Sequence, residues 1–134
     1  MKTFKIISIF TIAVLIFTIS CKNDDLDSKL YGTWTWLESS GGYSFLRYTP
    51  ETESYYLAIE FDKSGNFKIY KNEQLETIDK FTIKKGKSIY TSKITNLLEY
   101  KEQSIMQSIE FVKNDTLILR DECYDCFTHI YVKK

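Results

Sequence analysis

The chain has 134 residues, with 18 basic against 18 acidic side chains and a single histidine. That length holds one domain rather than two full cores, and the even charge balance offers no basic face of the kind nucleic acid requires. Hydrophobic residues reach 43% and aromatics 16%, with one proline, so the chain can bury enough surface to fold.

The first element is an export signal over residues 1–20. Lys2 and Lys5 form a basic start. Ile6 to Ile19 form an apolar stretch of signal-peptide length, short of the ~18 residues that span a bilayer. Thr18-Ile19-Ser20-Cys21 places a small residue before a cysteine and resembles a bacterial lipobox. The resemblance implies that Cys21 becomes the mature N-terminus, carries acyl chains such as palmitate on its thiol and amine, and anchors a lipoprotein in the outer membrane. Multiple acylation suits stable anchoring, which takes more than one lipid signal. Plain secretion and a retained single span are the competing readings, and the short segment with its lysine-bearing start argues against the span.

Residues 21–29 read as the lipidated cysteine and a polar, solvated tether, because Lys22 to Lys29 carry charge and almost no apolar content. An acidic run just after such a cysteine also resembles the surface-export signal of Bacteroidetes lipoproteins. Display on the cell surface and retention facing the periplasm both stay open.

From Leu30 to Lys134 the apolar period is two. Tyr55, Leu57, Ile59 and Phe61 alternate with Tyr56, Ala58 and Glu60, and similar alternation runs through Phe67–Tyr70, Ile105–Phe111, Leu117–Arg120 and Phe127–Val132. This predicts half-buried strands near 31–38, 55–62, 66–71, 75–84, 87–95, 104–113, 116–120 and 127–133. Turn sequences separate them at Asp62–Asn66, Lys71–Gln74, Lys85–Lys87 and Lys113–Asp115. Short connections make each strand pair with its neighbour, giving an all-β antiparallel meander. Closing it into an eight-stranded up-and-down barrel removes both sheet edges, and a two-sheet sandwich is the alternative. The one place considered for a helix is Asn96–Gln103.

Leu30-Tyr31-Gly32-Thr33-Trp34 contains the Gly-x-Trp signature of lipocalins. Trp36, Ser39–Gly42, Thr49-Pro50 and the ending from Leu117 to Val132 extend the match. Together with Cys21 the chain resembles a lipocalin-like family of Bacteroidetes lipoproteins. The family implies a calycin-type barrel and, loosely, a small apolar ligand. In that setting Gly32 and Trp34 are structural, Trp34 closing the barrel base beneath a stacked cation, for which Arg120 is the candidate.

Residues 39–54 form the longest stretch without strand pattern. They suggest either a lid over the open end or a loop that plugs it with aromatics. Candidate ligand contacts are Trp36, Tyr43, Phe45, Tyr55, Leu57 and Ile59.

Cys123-x-x-Cys126 has four readings. A local disulfide suits an exported protein, and two free thiols, part of a metal site or a redox pair are the others. His129 reads as a structural or rim residue, since one histidine on the last strand supports no Ser-His-Asp set. Glu60, Asp62 and Glu110 lack the spacing of paired glycosidase carboxylates, and Asn114–Thr116 serves as a turn as readily as a glycosylation site. No glycine-rich phosphate loop is present, so no cofactor and no enzymatic activity are expected. Two functions remain: a membrane-tethered barrel that binds a small apolar or amphipathic molecule, and a filled barrel that works through its surface with an envelope protein partner.

Overall fold

A computed structural model describes residues Asp24 to Lys134. The export signal 1–20 and the lipidation site Cys21 lie outside the described residues. In chain order the elements are α1 (Asp24–Leu30), β1 (Gly32–Gly41), β2 (Leu46–Tyr48), α2 (Pro50–Glu53), β3 (Leu57–Phe61), β4 (Asn66–Lys71), β5 (Gln74–Lys87), β6 (Ile94–Tyr100), β7 (Met106–Val112), β8 (Thr116–Asp121) and β9 (Phe127–Lys133). No helix among the described residues is long and apolar enough to cross a membrane.

Every strand pair is antiparallel; β1 pairs with both β2 and β3, each strand from β3 to β9 pairs with its chain neighbour, and β1 also pairs with β9 from Trp34↔Lys133 to Gly41↔Phe127. That pairing closes an eight-stranded barrel from β1 and β3 to β9, as the meander reading expects. The extra strand, β2, sits beside the far half of β1. Ser39↔Tyr48 to Gly41↔Leu46 continue the edge that β3 occupies from Gly32 to Thr35. At Leu37 a bulge inserts one residue between Trp36 and Glu38. Leu37 stays out in solvent, and Ser39 rather than Glu38 takes the next inward position.

The interior is filled by side chains. Trp34, Trp36, Ile59, Phe61, Phe67, Leu98, Tyr100, Leu117, Leu119 and Tyr131 are buried in one cluster, with Tyr55, Leu57, Ile69 and Phe111 packed against it. Most of the rings meet at tilted or edge-on angles, as in Phe61–Phe81 at 5.0 Å and Phe67–Tyr100 at 4.7 Å.

The closed end is built from both chain ends. The stretch read as a solvated tether is helical from Asp24 onward. Asp25 pairs with Lys29 at 3.2 Å, and acidic residues at the start with a lysine at the end suit the helix dipole. So short a helix is marginal alone. It holds because Leu26 packs on the core and Leu30 is fully buried. Its last carbonyls find donors in the barrel: Trp34 Nε1 donates to Leu30 O at 2.8 Å, and Lys133 Nζ donates to the carbonyls of Lys29 and Tyr31.

Lys133, not Arg120, is the cation over Trp34, with Nζ 4.6 Å from the ring. Position 133 lies inside the barrel seam directly opposite Trp34, whereas Arg120 points outward and pairs with Glu110. Gly32 is structural as expected: it adopts φ +122, which disfavours any side chain, with Lys133 Cε alongside.

The turns at Asp62–Asn66, Asn72–Glu73 and Lys113–Asp115 fall where expected. Asp62 Oδ1 accepts from the N–H groups of Ser64 and Asn66, and Asn72 and Glu73 both take positive φ, as a two-residue hairpin demands. The region 85–95 differs from the sequence reading. Lys85-Gly86-Lys87 is not a turn but the end of β5, and a β-carbon at Gly86 would run into the Leu97 side chain across the hairpin. The connection is residues 88–93, where Ser88 Oγ accepts from the N–H groups of Tyr90 and Thr91. Residues 96–100 are strand rather than helix.

Candidate functional site

The end of the barrel away from α1 is its mouth, formed where β1 reaches Gly41 and β9 begins at Phe127. The six candidate ligand contacts separate here into two groups. Trp36 and Ile59 are buried in the core, and Leu57 and Tyr55 pack against it. Tyr55 stacks on Trp36 at 6.1 Å and carries Lys71 Nζ 4.3 Å over its own ring. Burial, then the charges of Glu53 and Glu76, push the Tyr55 hydroxyl above its usual range. Tyr43 and Phe45 join none of this. They stand 89% and 92% exposed on the β1–β2 turn.

The 39–54 segment therefore divides its aromatics. Tyr48 packs onto the core and against Phe127 at 5.7 Å. Tyr43 and Phe45 project away. Phe45 sits at φ +52, uncommon for a bulky residue, in a turn closed by Phe45 N–H donating to Gly42 O. The turn is braced from below by the Arg47–Glu38 ion pair at 2.6 Å and from the side by Gly42 N–H donating to Cys126 O. Cys123 and Cys126 form a disulfide, and between them Tyr124 is 84% exposed. Three free aromatic side chains thus stand on two adjoining, pinned loops.

Beneath this rim runs a buried polar relay. Trp36 Nε1 donates to Ser39 Oγ at 2.9 Å, and Ser39 Oγ lies 2.7 Å from His129 Nδ1. His129 Nε2 lies 3.3 Å from Asp121 Oδ1. Gln107 Nε2 donates to Asp121 at 2.8 Å, and Tyr100 donates to Gln107 Oε1 at 2.7 Å. The consistent assignment has the serine hydroxyl donating to Nδ1 and the Nε2 proton directed at the aspartate. Burial pushes the Asp121 carboxyl up, but hydrogen bonds from His129, Gln107 and the Phe127 N–H outweigh it and hold it below the usual carboxylate range.

Ser39, His129 and Asp121 are a serine–histidine–aspartate set that the sequence reading did not find. A signal existed: Asp121 continues the inward row Leu117, Leu119, and His129 lies between Phe127 and Tyr131 on an inward row of β9. Polar residues at inward positions near strand ends mark such a network. The missing piece was Ser39, which only the bulge at Leu37 turns inward. Ser39 is buried and its oxygen already accepts the Trp36 N–H, so the set, extended by Gln107, joins β1, β9, β8 and β7 across the mouth.

A lowered carboxylate stabilises the fold above its unfolded value, and that contribution is lost as pH falls through the folded value. The urea midpoint of the wild type is therefore expected to drop below about pH 4. Asp121→Asn should cost about 1–3 kcal/mol at neutral pH and lack that part of the acid dependence, which unfolding curves at stepped pH will show.

Among the described residues, the outside of the barrel includes two cavities. One, of about 310 Å³, is formed where the β5–β6 connection folds onto the outer face of β7 and β8; Ser88, Tyr90, Ser108, Glu110 and Arg120 line it. Ile89 N–H donates to Glu122 Oε2 and the Tyr90 hydroxyl to Cys123 O, which fix the connection in place. The other, of about 380 Å³, lies on the outer face of β1, β3 and β4. Among the described residues no group of three or more His, Cys, Asp or Glu is placed to hold a metal ion. Comparison with protein-family models, with curated proteins and with solved structures finds no match.

Proposed function

We propose that this chain is a lipid-anchored lipoprotein of the bacterial envelope, lipocalin-like in fold, whose filled barrel presents an aromatic rim to an envelope protein partner. The observation that carries this reading is the contrast within the barrel. Large side chains occupy the inward positions, while Tyr43, Phe45 and Tyr124 stay exposed on loops that are held still. Exposed aromatics on pre-ordered loops bind with little entropic cost and dominate interface energetics. The anchor fits the same geometry. α1 packs at the closed end, and an acyl anchor on Cys21, shortly before α1 in the sequence, would hold that end toward the membrane and leave the rim facing away from it.

The test uses full-length protein extracted in detergent from its own host. Native mass spectrometry is expected to show acyl mass on Cys21 and no stoichiometric small molecule. Cys21→Ser should lose that mass and leave the membrane pellet. A photo-crosslinker at Phe45 should join one protein in intact cells, while the same group at exposed Ile78 on β5 should not. A co-purifying apolar molecule at one per chain would overturn the filled-barrel reading, and equal crosslinking at both positions would overturn the rim.

A further inference from the structure

We infer that the outer groove across β1, β3 and β4 is a binding site for a neutral saccharide, floored by Ala58 and walled by Tyr56 and Tyr70. This site is separate from the rim and does not depend on it.

The groove follows from strand register. Ala58 lies opposite Thr35 on one side and Tyr70 on the other. Tyr56 is the preceding outward position on the same chain segment. A methyl group between two tyrosines leaves a notch that a larger side chain would fill. Thr33 lies opposite Glu60 one outward step along. The resulting cavity of about 380 Å³ falls in the ~300–1,000 Å³ range of small-ligand sites.

Its chemistry is mixed in a particular way. Tyr56 is 71% exposed, so an aromatic surface is on offer. The threonines bring both methyl and hydroxyl groups to the floor. Glu60 is fixed by Lys68 Nζ at 2.8 Å and by the Tyr70 hydroxyl at 3.0 Å. The hydrogen bond from Lys68 and then that from Tyr70 hold its carboxyl below the usual range, against the effect of burial, so it stays ionised and oriented. An ionised, immobilised carboxylate is a strong acceptor for ligand hydroxyl groups.

That combination selects a ligand class. A pyranose has an apolar C–H face that lies on an aromatic ring and a rim of hydroxyls that donate to carboxylates and exchange with threonines. A wholly apolar ligand would cover the threonine hydroxyls and the remaining lone pairs of Glu60 without hydrogen-bonding any of them. An anionic ligand would meet Glu60 and Glu73, against which the groove lining sets a single cation, Lys134. A cation gains little, because Lys68 already neutralises Glu60.

Saturation-transfer NMR on the detergent-solubilised full-length protein tests this with cellobiose, lactose, maltose and mannobiose as probes. At least one should receive saturation on its ring C–H protons. Ala58→Leu, which removes no polar group and fills the notch, should weaken that binding about tenfold or more, as should Tyr56→Ala. Phe45→Ser, on the rim, should leave it unchanged. Absence of transfer to all four disaccharides, or transfer that survives both groove substitutions, would overturn the assignment.

Discussion

Trp34→Ala lowers the unfolding free energy by about 3–5 kcal/mol, the cost of a large-to-small change in a packed core. Trp34 is fully buried, and three separate groups depend on it. Its ring meets Phe111 at 5.9 Å inside the barrel, its face receives Lys133, and its indole N–H supplies the donor for Leu30 O. Alanine leaves a cavity at the closed end and strands a buried carbonyl, so α1 loses its hold along with the core. A domain of this size has roughly 5–15 kcal/mol in total, which places the variant near the threshold of folding. Two controls separate the contributions. Lys133→Met keeps the packing but removes the cation, at about 0.5–1 kcal/mol for its stacking, together with its hydrogen bonds to two carbonyls. Arg120→Ala breaks only an exposed pair with Glu110 and should cost at most about 1 kcal/mol. Urea unfolding of the three variants gives the ranking. An unshifted midpoint for Trp34→Ala would remove Trp34 from the barrel base.

How much of this was legible in the sequence depends on whether a residue's role is local or set by register. The strands at 57–61, 66–71, 116–121 and 127–133 announce themselves, because an alternating apolar face is buried whatever the neighbours are. The barrel follows, since consecutive short turns leave little choice of pairing. The tether did not reveal its helix, because Leu26 and Leu30 become apolar anchors only once a core exists to receive them. Gly86 looked like turn punctuation. Its reason for being glycine is Leu97, a contact made across a hairpin.

The site shows the same division. Trp36, Tyr55, Leu57 and Ile59 are expected as contacts of a small ligand, and the structure brings them together as core packing instead. Tyr43 and Phe45 are expected beside them as part of a long loop over the open end, yet the tight turn at Gly42 sends them outward. Lys133 was invisible as the partner of Trp34, because the choice between it and Arg120 rests on the β1–β9 register. Ser39 was hidden by one inserted residue. A single bulge shifts which side chains face inward, and no pattern of period two survives it.

Gly41→Ala should damage the mouth as Trp34→Ala damages the base. A β-carbon built at Gly41 falls 2.2 Å from Cys126 O and 2.9 Å from Phe127 Cα, both backbone atoms, and the residue takes φ +151. Neither neighbour yields easily. Cys126 is tied to Cys123, and Phe127 N–H is held by Asp121. The cost combines overpacking of ~1–3 kcal/mol with a backbone penalty of ~1 kcal/mol, so a loss of about 2–4 kcal/mol is expected. Gly42→Ala is the comparison. Its φ is also positive, but its nearest contact is the outer edge of the Phe127 ring at 3.4 Å, which can rotate aside, so the loss should be smaller. The two variants should also differ in place. Opening the seam at Gly41 separates β1 from β9 where Ser39 meets His129, so hydrogen exchange should rise at Phe127–His129 in Gly41→Ala and not in Gly42→Ala. Reducing the disulfide frees the Cys126 carbonyl to move and should shrink the Gly41→Ala penalty. A penalty that is the same with the disulfide reduced or intact would mean that the clash is absorbed elsewhere, and that the β8–β9 loop does not set the closeness of the seam.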